Sequence, residues 1–145
     1  VLQVWGYTKE KDAYLIDQLR GKWESPELKQ MTCSFWEKHK NLSNGSLRNL
    51  CIEDKQSGTG LIQSLKRDNN INVKAIQRSI DKITRANDAV PYMASGRVYF
   101  KDGAEYLSDL LPELLVFPNG KHDDQADVLN DGISELAKKS SSFFG

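Results

Sequence analysis

The chain has 145 residues, and its 20 Lys and Arg residues balance its 20 Asp and Glu residues. This length suits one compact domain with one core, which would bury about two-thirds of the surface exposed by the unfolded chain. Because the net charge is zero, no overall field selects nucleic acid, a membrane surface or an acidic partner, so any binding specificity must be local. Cys33 and Cys51 stand outside any metal or redox motif, and no apolar run is long enough to cross a membrane. These features predict a soluble protein of a reducing compartment.

The first part of the chain predicts a hairpin followed by a helix. VLQVWGY and AYLIDQL are β-favouring runs separated by the polar TKEKD, which is the pattern of an antiparallel hairpin. Residues 25–27, SPE, form a helix-start signature with a capping hydroxyl on Ser25, a proline at the first helical position and an acid near the positive end of the helix dipole. The packing face of this helix is predicted to comprise Leu28, Met31, Thr32, Phe35 and Trp36.

The remainder alternates short strands with helices. LCIEDK, NVKAI and RVYF are short strand-like runs; SGTG predicts a turn after the first of them, and FPNG predicts another. Pro112 is expected to kink or break the helix that contains it. Apolar stripes at helical spacing comprise Leu61, Ile62 and Leu65; Ile83, Ala86, Val90 and Met93; Tyr106, Leu107, Leu110, Leu111 and Leu114; and Ala126, Leu129, Ile133 and Leu136.

The predicted order of elements defines the fold class. Two strands are followed by alternating helices and strands and then by two final helices, with no internal repeat. This order predicts an α/β layer fold, in which helices pack against a mixed sheet with an antiparallel hairpin at its edge. The domain is expected to span residues 1–138, and residues 139–145 are expected to form a flexible tail or a linker.

The strand LCIEDK ends in two acids. Because side chains alternate along a strand, Cys51 and Glu53 share one face, and Glu53 is the last residue expected within the strand. It would therefore lie at the carboxyl edge, where open α/β sheets bind their ligands, and Asp54 would begin the turn. The alternative is that both acids are simply polar residues at the point where a strand reaches the surface.

A second acidic group, GKHDDQADVLND, opens the last helix. Asp127 follows Asp123 by four residues and Asp124 by three, so the three carboxylates can share one helix face, where they repel one another. Capping and the helix dipole account for Asp123 and Asp124, but they account poorly for Asp127, which has Asp131 rather than a lysine at the next turn. Hard cations such as Mg²⁺ and Mn²⁺ would relieve the repulsion. On spacing alone, metal binding and helix capping both stay open.

Two basic residues in DKITR could contact nucleic acid. Lys82 and Arg85 are three residues apart, so they share a helix face and could reach DNA phosphates, although a solvated face is the alternative. SGTG lacks the Gly-Lys-Ser/Thr ending of a phosphate-binding loop, and the order of residues suggests no hydrolase triad.

Three stretches together resemble one family. CIEDKQSGTGLIQSLK, DKITRANDAVPYMASGRVYF and LLVFPNGKHDDQADVLNDGI are similar to parts of the C-terminal nuclease domain of the tailed-phage terminase large subunit. The resemblance extends from the opening hairpin to about residue 138. It implies a ribonuclease H-like fold with helices on both faces of the sheet. It also implies a two-metal endonuclease that cuts concatemeric double-stranded DNA, with carboxylates from the first strand, a central strand and the last helix.

The resemblance also assigns roles by position. Glu53 matches the central-strand carboxylate, Asp124 or Asp123 matches the helix ligand, and Asp127 is a supporting acid, while Asp131 is expected to be solvated surface. Two Mg²⁺ or Mn²⁺ ions are the implied cofactors. The family's first-strand Asp is expected upstream of Val1, so weak divalent binding and little or no cleavage are expected of this chain in isolation.

The implied partners are double-stranded DNA, the terminase ATPase domain, the portal and the small terminase subunit, in the host cytoplasm and without a membrane. Lys82 and Arg85 become candidates for contacts with the DNA backbone. A non-catalytic DNA-binding or packaging-assembly module of the same fold is the alternative function. A resolvase-like or integrase-like nuclease is a third possibility, which the context FPNGKHDDQAD disfavours.

Overall fold

The computed structural model describes residues 1–42, 45–78 and 81–141. Its elements follow the predicted order, with one additional pair of two-residue strands after the first helix. The strands are β1 (Leu2–Tyr7), β2 (Ala13–Leu19), β3 (Asn41–Leu42), β4 (Gly45–Ser46), β5 (Leu50–Glu53), β6 (Val73–Ile76) and β7 (Val98–Phe100); the helices are α1 (Ser25–His39), α2 (Gln56–Asp68), α3 (Lys82–Ala94), α4 (Leu107–Val116) and α5 (Asp124–Ser141).

The chain divides into two compact units. Unit 1 comprises Val1–Arg20 with Ile80–Gly145, and unit 2 comprises Gly21–Ser79. Where the length of the chain suggested one core, each unit has its own cluster of buried apolar side chains. Helix α5 continues to Ser141, beyond the predicted domain end, and residues 142–145 of the expected tail lie outside the described residues.

Unit 1 contains a three-stranded mixed sheet in the order β1-β2-β7. The hairpin β1–β2 is antiparallel, as predicted, and β7 pairs in parallel with β2. The core of the unit is Leu15 of β2 with residues from the three helices α3, α4 and α5, since each apolar stripe must cover its face against another element. The helical members of this core are Ala89, Leu110, Leu129 and Ile133.

Unit 2 contains the strand–helix–strand segment β5-α2-β6. The two strands are parallel, and Glu53 pairs with Ile76 at their carboxyl ends. Ile62 and Leu65 of α2 pack with Ile71 and Val73, which confirms the predicted helix face. The described strands thus form a mixed sheet and two separate pairs. The mixed α/β class is confirmed, whereas one central sheet covered by helices on both faces stays a prediction.

Three local predictions were wrong. Helix α1 already includes Ser25 and has no side-chain cap, because Glu24 occupies the capping position. The SGTG segment, residues 57–60, lies within α2 rather than in a turn. The break expected at Pro112 does not occur, because helix α4 runs through this residue, whereas a kink there stays a prediction; Ser108, whose carbonyl group loses its amide partner, is exposed, so water can bind it.

Helix α3 was predicted correctly, but its apolar stripe does not form its buried face. Ile83, Val90 and Met93 are exposed, whereas Ala89 is fully buried. The buried face pairs a small residue with the charged Arg85, and it packs against α5. In addition, no helix in the described part of the chain has the length and apolarity needed to span a bilayer.

Candidate active site

Two cations within unit 2 hold Glu53 at the carboxyl end of β5. Its Oε2 atom accepts a hydrogen bond of 2.8 Å from the guanidinium of Arg78. The Nζ atom of Lys55 lies 3.3 Å from Oε1 as an ion pair. In the described part of the chain, however, the buried Oε1 atom accepts no hydrogen bond. Glu53 therefore has a buried carboxylate oxygen that can still act as an acceptor, and it lies at the strand edge that the sequence predicted.

Asp54, the neighbouring acid, has a structural role. Its Oδ1 atom accepts a 2.6 Å hydrogen bond from the Thr59 hydroxyl, and its Oδ2 atom accepts a 2.9 Å bond from the Gln77 side-chain amide. These bonds tie the start of α2 to the segment after β6. Because both oxygens are engaged, the structural alternative describes Asp54 better than it describes Glu53.

The first turn of α2 passes very close to the end of β5. A Cβ atom at Gly58 would lie 2.1 Å from the carbonyl oxygen of Glu53, a distance that no real side chain tolerates. The Gly58 amide donates a 2.7 Å hydrogen bond to the carbonyl of Lys55. Glycine is therefore required here by the close approach of two backbones, and it lets the helix begin directly behind Glu53.

The two aspartates at the start of α5 each contact a cation from elsewhere in unit 1. Lys82, the first residue of α3, forms a 2.5 Å ion pair with Asp123. Arg20, which follows β2, binds Asp124 in a bidentate manner, with bonds of 3.2 Å from Nε and 3.1 Å from a terminal nitrogen. Such charge-assisted pairs fix the orientation of a carboxylate more strongly than a neutral hydrogen bond does.

Arg85 lies between the remaining two aspartates. Its guanidinium donates to Asp127 at 3.3 Å and lies 3.7 Å from Asp131. The prediction that Asp131 is solvated surface was wrong, since its side chain is only 13% exposed. One cation on α3 thus faces two carboxylates of α5, and no search along α5 alone could find that partner.

The two predicted DNA contacts differ in exposure. The side chain of Lys82 is 44% exposed, whereas that of Arg85 is 14% exposed and engages two carboxylates. Both lie on the face of α3 that meets α5, as their spacing suggested. Lys82 is therefore the better placed of the two for a ligand in solution, and DNA contact by either stays a prediction.

Sequence reasoning missed the carboxylate that caps α5. Oε1 of Glu113, in α4, accepts the backbone N–H groups of Gln125 at 2.8 Å and Ala126 at 2.9 Å. Its Oε2 atom accepts the side-chain amide of Gln125 at 2.6 Å. An acid at a helix N-terminus accepts hydrogen bonds from first-turn N–H groups that have no partner within the helix, and its negative charge interacts favourably with the helix dipole. The available signal was one acid inside the apolar run LLPELL.

A family model described as the terminase RNaseH-like domain matches residues 1–136. The match covers nearly the whole chain. The chain belongs to the terminase RNaseH-like domain family. Membership confirms the resemblance drawn from the sequence and indicates a nuclease module of phage DNA packaging. No curated protein and no solved structure matches the chain significantly.

Within each unit of the terminase RNaseH-like domain, the described residues have the donor chemistry for a hard divalent cation, but they do not present a preassembled cage. Carboxylate oxygens are the preferred ligands of Mg²⁺ and Mn²⁺. Among the residues that the structure describes, neither unit gathers three or more His, Cys, Asp or Glu side chains into one metal site. Glu53, Asp123 and Asp124 are each neutralised by Lys or Arg. Metal binding by this terminase domain would therefore require a cation to replace these partners or to share their carboxylates.

Arg20 controls the charge of Asp124 in the terminase domain. Burial raises the pKa of this carboxyl, but the hydrogen bond and the positive charge of Arg20 outweigh burial, so the pKa lies below its ordinary value. In the same way, the hydrogen bond to Asp123 raises the pKa of Lys82. Asp124, Arg20 and Lys82 are therefore all charged at neutral pH.

The stability of the terminase domain should fall in acid partly through Asp124. Because the pKa of Asp124 is lower in the folded chain, its contribution is fully present above the unfolded value of about 3.9 and is lost as pH falls through the folded value. The free energy of unfolding of the wild type should fall between about pH 5 and about pH 2, and in Arg20→Met we expect this fall to be smaller by about 0.5 kcal/mol. The difference is small because solvent screens the half-exposed pair. Urea denaturation of both proteins at each pH would measure this, and equal losses would contradict it.

Proposed function

We propose that the chain is the DNA-cleaving domain of a phage packaging terminase, which hydrolyses a phosphodiester bond of concatemeric double-stranded DNA with two Mg²⁺ or Mn²⁺ ions. The observation that carries the proposal is the Glu53 carboxylate at the carboxyl end of β5, with one buried oxygen that accepts no hydrogen bond among the described residues. In a chain of this family, such an oxygen is suited to bind a cation.

The proposed ligands are Glu53 and, from α5, Asp123 and Asp124, with Asp127 in support. When bound, two metal ions would supply an activated water and stabilise the leaving oxygen. The residues of the chain supply the rest: Arg20 orients Asp124, Arg78 orients Glu53, and Lys82 pairs with Asp123 in the absence of metal.

The ion pairs connect metal binding with DNA binding. A divalent cation on Asp123 would repel the ammonium group of Lys82, which lies 2.5 Å from that carboxylate. The displaced lysine, already 44% exposed, would then be available to a DNA phosphate. One exchange thus accommodates both predictions, that Asp123 binds metal and that Lys82 contacts DNA. Arg85 would retain its pairs with Asp127 and Asp131, since it is more deeply buried.

An NMR titration with Mg²⁺ tests the proposal. We expect resonances of Glu53, Asp123 and Asp124 to shift together at millimolar Mg²⁺. We also expect Lys82→Met to tighten Mg²⁺ binding several-fold, because it leaves Asp123 without its competing cation. Lys29→Met is the matched control, since Lys29 forms a comparable 2.8 Å pair with Asp68, which is not a proposed ligand. Unchanged resonances at all three acids would contradict the proposal.

A non-catalytic module is the second candidate. It is favoured by the Lys or Arg partner that each proposed ligand already has. Such a module would bind double-stranded DNA or the packaging proteins without hydrolysis, and it predicts no response to Mg²⁺ at these acids. In either case we propose the ATPase domain, the portal and the small terminase subunit as its protein partners.

A further inference from the structure

A directional chain of polar side chains runs from the β1–β2 hairpin to the start of α5. Trp5 donates from Nε1 to Gln3 at 3.0 Å, and Gln3 donates from Nε2 to Gln18 at 2.7 Å. Gln18 then donates to Gln125 at 2.7 Å, and Gln125 donates to Glu113 at 2.6 Å. Each glutamine accepts with its oxygen and donates with its nitrogen. This series of hydrogen bonds therefore ends at Glu113, whose ionised carboxylate can accept hydrogen bonds but cannot donate one.

Glu113 joins this network to the backbone of α5. The residue is buried, as is Gln125, and three hydrogen bonds reach its two oxygens, two of them from the first-turn amides of Gln125 and Ala126. A buried carboxylate is tolerated only when it is bonded in this way. The start of α5 is thereby fixed to α4 and to the hairpin at once.

The same carboxylate lies beside the pair that holds Asp124. A terminal nitrogen of Arg20 is 4.0 Å from Oε2 of Glu113 and 3.1 Å from Oδ1 of Asp124. The guanidinium therefore sits between the buried acid and the half-exposed one. Loss of the Glu113 charge would change both the backbone of the first turn and the position of the cation that orients Asp124.

We propose that Glu113 is the positioning residue for the α5 aspartates: it sets the first turn of the helix, and through it the directions of Asp123 and Asp124. Its part in metal binding rests on the function proposed above. Its part in fixing the start of α5 does not depend on that function, because the hydrogen bonds that carry it are all formed within the protein.

Two variants separate the effect of the charge from that of the hydrogen bonds. Glu113→Gln keeps the size of the side chain, but its NH₂ group must face either the side-chain amide of Gln125 or the backbone N–H groups of Gln125 and Ala126, all of which donate. The double variant Glu113→Gln/Gln125→Glu exchanges the two groups, so the carboxylate at position 125 can accept from both Gln18 and the new amide. It gives up the 3.3 Å bond to the Asp109 carbonyl, and a neutral oxygen replaces the carboxylate that accepts from the two backbone amides. Glu135→Gln is the matched control, because it neutralises another buried acid farther along α5, beside Lys138.

Hydrogen exchange and Mn²⁺ affinity are the two measurements. We expect Glu113→Gln to speed exchange of the Gln125 and Ala126 amides about tenfold and to weaken Mn²⁺ binding about tenfold or more. The double variant should recover most of the amide protection and most of the Mn²⁺ affinity. Glu135→Gln should change neither the exchange of these two amides nor the Mn²⁺ affinity. A purely structural role would lower the unfolding free energy of Glu113→Gln and Glu135→Gln alike without this selective change in Mn²⁺ affinity.

Three outcomes decide the matter. Wild-type exchange rates at both amides in Glu113→Gln would overturn the proposal, and so would an equal loss of Mn²⁺ affinity in Glu135→Gln. If the wild-type chain binds no Mn²⁺ while the two amides respond as expected, Glu113 is upheld as the residue that positions the helix start. The metal role of the aspartates, and with it the proposed function, would then fail separately.

Discussion

Replacing Glu53 with glutamine is expected to lower the initial rate of Mn²⁺-dependent nicking of supercoiled plasmid DNA by at least about 100-fold. Loss of a residue that merely supports a metal ligand costs about 10- to 100-fold, and loss of the ligand itself should cost more. The substitution removes the charge but keeps an oxygen that can accept the hydrogen bond from Arg78. The local fold should therefore persist while the affinity for a divalent cation falls. Asp124→Asn, which keeps the shape of the acid bound by Arg20, should have a similar effect.

The comparison is best made with protein in excess over plasmid, because little or no cutting is expected of the chain in isolation at lower protein concentrations. Glu37→Gln is a suitable control: Glu37 is an exposed acid of the same unit, paired with Lys40 at the end of α1. Cutting that is equally fast in wild type, Glu53→Gln and Glu37→Gln would exclude the assigned site. If the wild-type chain cuts no faster than a metal-free sample, the NMR titration with Mg²⁺ decides between the nuclease and the non-catalytic module.

Gly58→Ala and Gly60→Ala are expected to change stability in opposite directions although the two glycines lie two residues apart in α2. A Cβ atom at Gly58 would meet the Glu53 carbonyl at 2.1 Å, whereas a Cβ atom at Gly60 would meet nothing within 4 Å. We expect Gly58→Ala to lower the free energy of unfolding by about 1–3 kcal/mol, the usual penalty of overpacking. Gly60→Ala should raise it by up to about 1 kcal/mol, because alanine favours a helix more than glycine does.

Urea denaturation of the three proteins measures this pair of effects. The clash at Gly58 is with backbone rather than with the end of a flexible side chain, so the strand end carrying Glu53 or the helix start must shift. Gly58→Ala should therefore also move the NMR resonances of Glu53, whereas Gly60→Ala should leave them in place. A stabilised Gly58→Ala protein would contradict the close approach.

Several predictions that rest on local sequence patterns were confirmed. The alternation in LCIEDK correctly places Glu53 as the last residue of β5, and the stripe Ala126, Leu129 and Ile133 becomes the buried face of α5. These patterns are informative because a strand or helix must bury one face whatever its neighbours are. The resemblance to the terminase nuclease domain, based on motifs at several positions, was confirmed by the family match.

Predictions that depended on partners distant in sequence were incomplete. Asp131 was expected in solvent, but Arg85 on α3 draws it into a pair. SGTG was taken for a turn from its composition, but the packing of α2 against the end of β5 uses Gly58 inside the helix. The apolar residues of α3 suggested one buried face, but the charges opposite it on α5 selected another. In each case a contact across the unit outweighed a local preference.

The sequence by itself determined the order of elements, the family and the candidate carboxylates, because propensity, periodicity and motif are properties of short segments. Only the tertiary structure decided which cation faces each carboxylate: Lys82 for Asp123, Arg20 for Asp124, Arg85 for Asp127. Only the fold, likewise, brought Glu113 to the first turn of α5. The physical reason is that electrostatic and hydrogen-bond energies depend on distances in space, and in this chain those partners lie 12 to 104 positions apart in sequence.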